Sequence, residues 1–460
     1  MKFVSTRGLA PAVGFRDVLL SGLAQDGGLY MPDAWPHFDA DVIAAFADKS
    51  YAHVAFEVLQ RFGGATESDD ALHSDIAEAY AGFDDARIAP LIEITRGQYL
   101  LELFHGPTLA FKDIALQLLG RMVARTLKQV GRRLTIVAAT SGDTGSAAIA
   151  AFGGLPQIEI FVLHPHGRIS AVQRRQMTTS SHANVHNIAL EGTFDDAQAL
   201  VKALFADRDF AERAKLGAVN SINFARIAAQ TVYYFTAAAH LGVPATFIVP
   251  TGNFGDIFAG EGAMRMGLPI RGLMAATNAN DIVARALEEG IYAAGPVQAT
   301  LSPSMDIQVA SNFERALFEA GGRDSAFVRD AMAAFARERR LVLPEPVRIA
   351  LSGLYRAVAI DDAATLQEMA ATFAQSGRLV DPHTAVALAA ARRSALPGPL
   401  VVLSTAHPAK FPDAVRRATG QIPALPPRLS GLLAADEKFD VLKPDLGLVR
   451  DFIAARVPPS

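Results

Sequence analysis

The stretch "RRLTIVAATSGDTGSAAIAAFGG" (Arg132 to Gly154) decides the fold. Its first part, through Ala139, is a short apolar run that reads as a strand. Ser141 to Gly145 are small, polar residues that read as a turn. The alanine-rich segment after them reads as a helix stopped by Gly153 and Gly154. A strand, a tight turn and a helix in so few residues form the opening of a βαβ unit.

Outward from this stretch the same alternation repeats. "IEIFVLH" reads as a strand, "AVQRRQM" as helical and "ANVHNIALEG" as a strand. "TFDDAQALVKALFADRDFAERA" reads as one helix with Thr193 as its N-cap. "ARIAAQTVYYFTAAAHLG" is then a helix, "ATFIVPTG" a strand, "DIFAGEGAMRMG" a helix and "IRGLMAATN" a strand. Such alternation implies right-handed crossovers and a largely parallel sheet with helices on both faces. In that architecture ligands bind beyond the carboxyl ends of the strands. The first 85 or so residues differ: "DVIAAFADKSYAHVAFEVLQRFGG" and "ESDDALHSDIAEAYAGF" carry helical apolar spacing, as a small, mainly helical domain would. "LIEITRGQYLLELF" reads as two strands around Arg96-Gly97, "ARERRL" (Ala336 to Leu341) as a solvated helix face, and 420–428 as a proline-rich loop.

A chain of 460 residues, 50% hydrophobic and 20% charged, supports two or three domains with a large core. A formal charge of -4 argues against nucleic acid or an anionic membrane as partner. Having no cysteine excludes disulfides and thiolate chemistry and fits a reducing compartment. No signal-peptide core and no run of about 18 apolar residues is present, so a cytoplasmic protein is expected, with no membrane partner.

Five places carry chemistry. In "FHGPTLAFKDIALQLLG" (Phe104 to Gly120), Lys112 follows Leu109, Ala110 and Phe111 at a helix start. Dehydration there favours the neutral amine that forms Schiff bases; a lysine merely near a helix start is the alternative. Ser141, Gly142, Asp143 and Thr144 form either an ordinary capped turn or one whose amides meet a carboxylate or phosphate. Asp143 would repel that anion, so its side chain is expected to turn to another partner. Gly252, Asn253, Phe254 and Gly255, after "FIVP", can present successive amides to a phosphate. Neither the P-loop lysine nor the G-x-G-x-x-G spacing is there, so a nucleotide is not the expected ligand. "PLVVLSTAHPAKFPDAV" ends a strand in Ser404, Thr405, His407 and Lys410. A hydroxyl there can meet a ring nitrogen, whereas His407 reads as a loop residue without a role. In "SMDIQVASNFERALFEAGG", Arg315 either forks onto a phosphate or pairs with Glu314 or Glu319. A Schiff-base lysine, two anion turns and a hydroxyl together describe a pocket for pyridoxal 5'-phosphate. No metal is expected.

"GPTLAFKD", "ATSGDTGSA", "NSINFARI", "PTGNFGD" and "STAHPAKFPD", with "STRG" and "GGLYMP" near the start, closely resemble the threonine synthases of bacteria and fungi. The resemblance runs in order from residue 1 to at least 420. It implies a fold-type II pyridoxal phosphate enzyme, of the tryptophan synthase β kind. Residues 1–85 would be the N-terminal domain and 86–460 the catalytic domain, its two α/β lobes including a smaller one near 135–205. The implied reaction converts O-phospho-L-homoserine and water into L-threonine and phosphate. By the same resemblance Lys112 holds the cofactor aldehyde, Gly252 to Gly255 cradle its phosphate and Thr405 meets the ring nitrogen. Ser141 to Thr144 hold the substrate carboxylate, and Arg315, Lys410 and Asn223 are the candidates for the substrate phosphate. The absence of a separate regulatory module leads to an expected monomer or weak homodimer. A serine or threonine dehydratase, which needs no room for a substrate phosphate, is the nearest rival reading.

Overall fold

The computed structural model describes residues 1–64, 68–217, 221–394 and 396–457. Asn220, which opens the "NSINFARI" motif, lies outside them. Two sheets dominate. The larger has six strands in the order Tyr355–Ala359, Ile270–Thr277, Ala245–Pro250, Leu400–Ser404, Gln98–Glu102 and Leu91–Thr95. All its neighbours are parallel except the last pair, which is the antiparallel hairpin turning at Arg96-Gly97. Its inner strands Ala245–Pro250 and Leu400–Ser404 are buried on both faces, with side chains alternating between them. Phe247, Val249, Val401 and Leu403 point into one apolar cluster, and Ile248 and Val402 into the cluster on the opposite face. Helices Phe224–Leu241 and Pro382–Arg393 supply core residues on those two faces respectively.

The smaller sheet is wholly parallel, in the order Asp440–Leu442, Val185–Leu190, Ile158–Pro165, Leu134–Ala139 and Leu216–Gly217. It therefore extends past residue 205 and takes its edge strand from near the end of the chain. Helices Tyr51–Arg61 and Asp69–Tyr80 pack within the same apolar cluster as Lys112–Val130 and Phe224–Leu241. Phe224 is the hub, with ring centroids 5.3 Å from Phe3, 5.5 Å from Phe62 and 6.0 Å from Trp35. Each such pair adds roughly 0.5–1.5 kcal/mol beyond area burial, which pins the start of helix Phe224–Leu241 against the N-terminal segment.

Thr193 caps its helix with Asp196 in a capping box, as its position predicts. The single helix expected beyond it is broken: Ala206 ends one helix, and the Asp207 side chain accepts from the Phe210 amide to start the next. The basic run 336–341 is not one helix face either. The helix ends at Glu338, Arg339 is left-handed (φ 56°), and Arg340–Val342 pairs antiparallel with Ile291–Ala293. Among the described residues no helix is long and apolar enough to cross a membrane.

Candidate active site

Four strand-end loops meet at one cavity of about 270 Å³ between the sheets. They follow Gln98–Glu102, Leu134–Ala139, Ala245–Pro250 and Leu400–Ser404, as the strand-end rule requires. Lys112, Asp143, Thr144, the run Gly252 to Asp256, and Thr405 all line it; Ser141 lines a wider cleft of about 860 Å³ that shares Lys112, Asp143, Thr144 and Asn253 with it.

Lys112 opens its helix, and the loop before it is fixed from both ends. The Phe111 amide donates to the Thr405 carbonyl at 2.8 Å and the His407 amide to the Leu109 carbonyl at 3.0 Å. Lys112 and Thr405 are thus held side by side by backbone alone. Asp113 is not a solvating neighbour of the lysine. It turns back to accept from the Thr108 amide (2.8 Å) and hydroxyl (2.7 Å), and it packs so closely on Gly106 that a Cβ there would meet its own Cβ at 2.4 Å. That packing explains the glycine of "GPTLAFKD". Burial pushes the Lys112 pKa down; Asp143, with Oδ2 3.6 Å from Nζ, opposes this, and Lys410 and Arg226 add to it.

Asp143 begins helix Asp143–Phe152 but does not face a ligand alone. Its Oδ1 accepts from Lys410 Nζ (2.9 Å) and Gln173 Nε2 (2.9 Å), and its Oδ2 from the Ser304 hydroxyl (2.9 Å). Burial alone would raise its pKa, yet Lys410, then Lys112 and His383, hold it well below the usual carboxylate range. Thr140 Oγ1 shapes the turn by accepting from the Gly142 and Gly145 amides, each at 2.9 Å.

At the second turn Phe254 is left-handed (φ 64°), which bends the backbone round into helix Gly255–Arg265. A Cβ on Gly252 would meet the Ser304 carbonyl oxygen at 3.0 Å and Met305 Cα at 3.2 Å. The fourth stretch braces this turn: the amide and the side chain of Asn312 both donate to the Asn253 carbonyl at 3.0 Å. The amides of Gly252, Asn253 and Phe254 take no acceptor among the described residues.

Three expected contacts do not reach the cavity. Arg315 is wholly buried and donates to the carbonyls of Tyr30 and Ile222 and to Asn312, because its helix packs inward on the N-terminal segment. Its alternative partner Glu314 is taken by Arg7 at 2.9 Å. Asn223 is the N-cap of helix Phe224–Leu241, accepting from the Ala225 amide and donating to the Leu19 carbonyl. Lys410 is fully enclosed, its three protons directed at Thr108 O (2.6 Å), Asp143 (2.9 Å) and Gln176 Oε1 (3.0 Å). His407 caps its own short turn, its ring nitrogen accepting from the Ala409 amide.

The sequence reading missed Arg226, Gln230, Ser304 and His383, which also line the cavity. Arg226 had a signal: it is the one Lys, Arg, Asp or Glu in the 18 residues of Phe224–Leu241. His383 had none. Its placement depends on Asp381, 2.7 Å from Nδ1, and on the Ser304 amide, which donates to Nε2 at 3.2 Å.

Pyridoxal phosphate fits these residues. A buried amine stands at the cavity wall, a turn with free amides has no room for side chains at Gly252, and the Arg226 guanidinium is buried with Nε and Nη1 unpartnered. The fold and this site define a pyridoxal-phosphate enzyme of fold-type II, and the family model described as "Pyridoxal-phosphate dependent enzyme" matches residues 86–354. "Threonine synthase N terminus" matches 2–80 and "Threonine synthase, C-terminal" matches 384–453. The chain is 48% identical to a threonine synthase of Pseudomonas aeruginosa over 99% of this chain and 98% of that one. It superposes on the crystal structure of PLP-bound threonine synthase from Brucella melitensis with a TM-score of 0.97, at 50% identity and 99% coverage of both chains. The yeast threonine synthase structure gives 0.94 at 35% identity, covering 99% of this chain and 98% of that one. The chain belongs to the threonine synthase family.

Proposed function

We propose that this chain converts O-phospho-L-homoserine and water into L-threonine and phosphate, the β,γ-replacement reaction that the family resemblance implies. The observation that carries this reading is the convergence of Lys112, the Gly252–Gly255 turn and Thr405 on one cavity that shares its wall with a wider cleft. When bound, pyridoxal phosphate supplies a sink for the electron pair left at a deprotonated Cα.

The remaining work falls to the chain. Lys112 would hold the cofactor through its aldehyde and, when free, would move the Cα proton; burial lowers its pKa and so favours the neutral amine that such a base needs. Thr405, whose hydroxyl has no partner among the described residues, would help to hold the cofactor ring as a neutral hydrogen-bonding group. The amides of Ser141, Asp143 and Thr144 receive the substrate carboxylate, Gly142 being held by Thr140 Oγ1, and the pairing of Asp143 with Lys410 keeps that carboxylate from meeting an unscreened charge. The substrate phosphate goes to the outer cleft, where Lys202, Arg329 and Arg339 stand. The same reading divides the chain at about residue 85 and places a monomer or weak homodimer in the cytoplasm.

The test is phosphate release from O-phospho-L-homoserine with threonine identified as product, run beside ammonia release from serine. Phosphate and threonine without ammonia is the expected result; ammonia alone overturns the reading in favour of a dehydratase. Lys112→Ala should abolish the visible absorbance of the lysine-bound cofactor, and survival of that band would remove Lys112 from its role.

A further inference from the structure

Helix Phe224–Leu241 buries an almost entirely apolar sequence, and its one arginine is turned inward. Arg226 is 4% exposed, lines the central cavity, and has neither Nε nor Nη1 hydrogen-bonded. Burial lowers its pKa only to about 10, which leaves it charged at neutral pH. A buried guanidinium without a counter-charge is strongly disfavoured, so the arrangement calls for an anion as its ligand.

The nearby carboxylates do not supply it. Asp143 is occupied by Lys410, Gln173 and Ser304. Asp256 accepts both the Tyr233 and Tyr234 hydroxyls on Oδ1, while burial lifts its pKa to about 7 and favours the uncharged acid. Its Oδ2 is itself without a partner. The position of the helix shows which anion is meant. Ile227, the next residue, has its Cδ1 3.7 Å from where a Cβ on Gly255 would stand, so the helix carrying Arg226 packs directly on the Gly252–Gly255 turn. Loop amides supply direction for a phosphate but only partial charges, and a guanidinium supplies the full charge.

We infer that Arg226 is the ionic partner of the cofactor's phosphate and sets the chain's preference for the phosphorylated over the unphosphorylated aldehyde. The inference rests on the cofactor reading above. Both a dianion's two oxygens and the fork of a guanidinium favour a paired contact, which a lysine cannot copy in full. Because Arg226 also depresses the Lys112 pKa, loading the cofactor neutralises a cation that otherwise acts on the reactive amine.

The test uses the full chain stripped of cofactor and titrated, by change in visible absorbance, with pyridoxal 5'-phosphate and separately with pyridoxal. Wild type, Arg226→Lys and Arg226→Met are compared. The expected result for Arg226→Met is a loss of about 100-fold in affinity for the phosphorylated aldehyde with pyridoxal affinity within about 3-fold of wild type. Arg226→Lys is expected to lose about 10-fold. The cofactor-free Arg226→Met chain should melt no lower than cofactor-free wild type, since the variant removes an unpaired buried charge, and this separates a binding defect from a folding defect. Equal losses for both aldehydes overturn the proposal, as does a variant that keeps its phosphate preference. Unchanged cofactor binding with weakened O-phospho-L-homoserine binding overturns it too, assigning the guanidinium to the substrate. Wild type that binds neither aldehyde sinks the cofactor reading itself, a different failure.

Discussion

The two glycine turns at the site are built alike but differ in charge. Each follows a buried parallel strand, each opens a helix, and each begins that helix beside an aspartate, Asp143 in one and Asp256 in the other. At the first turn the aspartate is ionised and answered by the buried ammonium of Lys410. At the second it is answered by two tyrosine hydroxyls, and the cation Arg226 is left over. The first turn therefore satisfies its own charge and offers backbone amides; the second keeps an excess positive charge that an incoming anion cancels. Helix polarity alone does not tell the two apart. The side chains that the surrounding elements aim at each turn do.

The strongest way to break the comparison is Lys410→Met. It strands the Asp143 carboxylate without its main partner, and a loss of about 3–5 kcal/mol in unfolding free energy by urea titration is expected. A loss under about 1 kcal/mol would show that Lys112 suffices as counter-ion. Next come matched glycine substitutions. Gly142 has φ +142°, and a Cβ there would meet the Gln173 side chain at 2.7 Å; Gly142→Ala should cost about 1–3 kcal/mol of stability. Gly252→Ala strains no left-handed φ but crowds the Ser304–Met305 backbone, so its expected effect is a cofactor affinity about tenfold lower with little change in stability.

Asp256→Asn sharpens the comparison through pH. The folded-state pKa of Asp256 is raised to about 7. Between about pH 4 and 7 the folded, cofactor-free chain holds a proton that the unfolded chain has released, so stability falls as pH rises, by up to about 1.4 kcal/mol per unit. The wild-type minus variant difference in unfolding free energy should carry that slope, and a flat difference would mean the carboxyl is ionised throughout. Thr140→Val leaves the Gly142 and Gly145 amides without their acceptor, and a loss of about 1–2 kcal/mol in unfolding free energy by urea titration is expected.

What could be read in the sequence was what depends on neighbours along the chain. The strand–turn–helix alternation, the hairpin at Arg96-Gly97, the Thr193 cap, and the position of Lys112 at a loop–helix joint are all local patterns, and the structure contains each. Facing was not readable. Lys410 and Arg315 stand in stretches that reach the site, but which way each side chain points depends on packing partners hundreds of residues away, such as Thr108 and Tyr30. Asn223, a candidate for the substrate phosphate by resemblance alone, is the cap that an asparagine before a helix commonly forms. Arg226 in "NFARIAAQTVYY" carries the same signal as Lys112, a cation set among apolar neighbours near a helix start. The return of residues 440–442 to the small sheet has only three residues and no neighbouring signal of its own.

That return has a mechanical meaning. The chain enters the smaller lobe near residue 134, leaves it after 217, and comes back at 440 to pair along Ile188 to Leu190. Glu437, just before the returning strand, clasps Arg174 and Thr178 on the same lobe. The smaller lobe is consequently moored by its own tail as well as by its two ends. Any closing swing over a bound substrate has to carry that mooring with it, and a chain shortened ahead of residue 437 would leave a bare strand edge open to pairing with another copy.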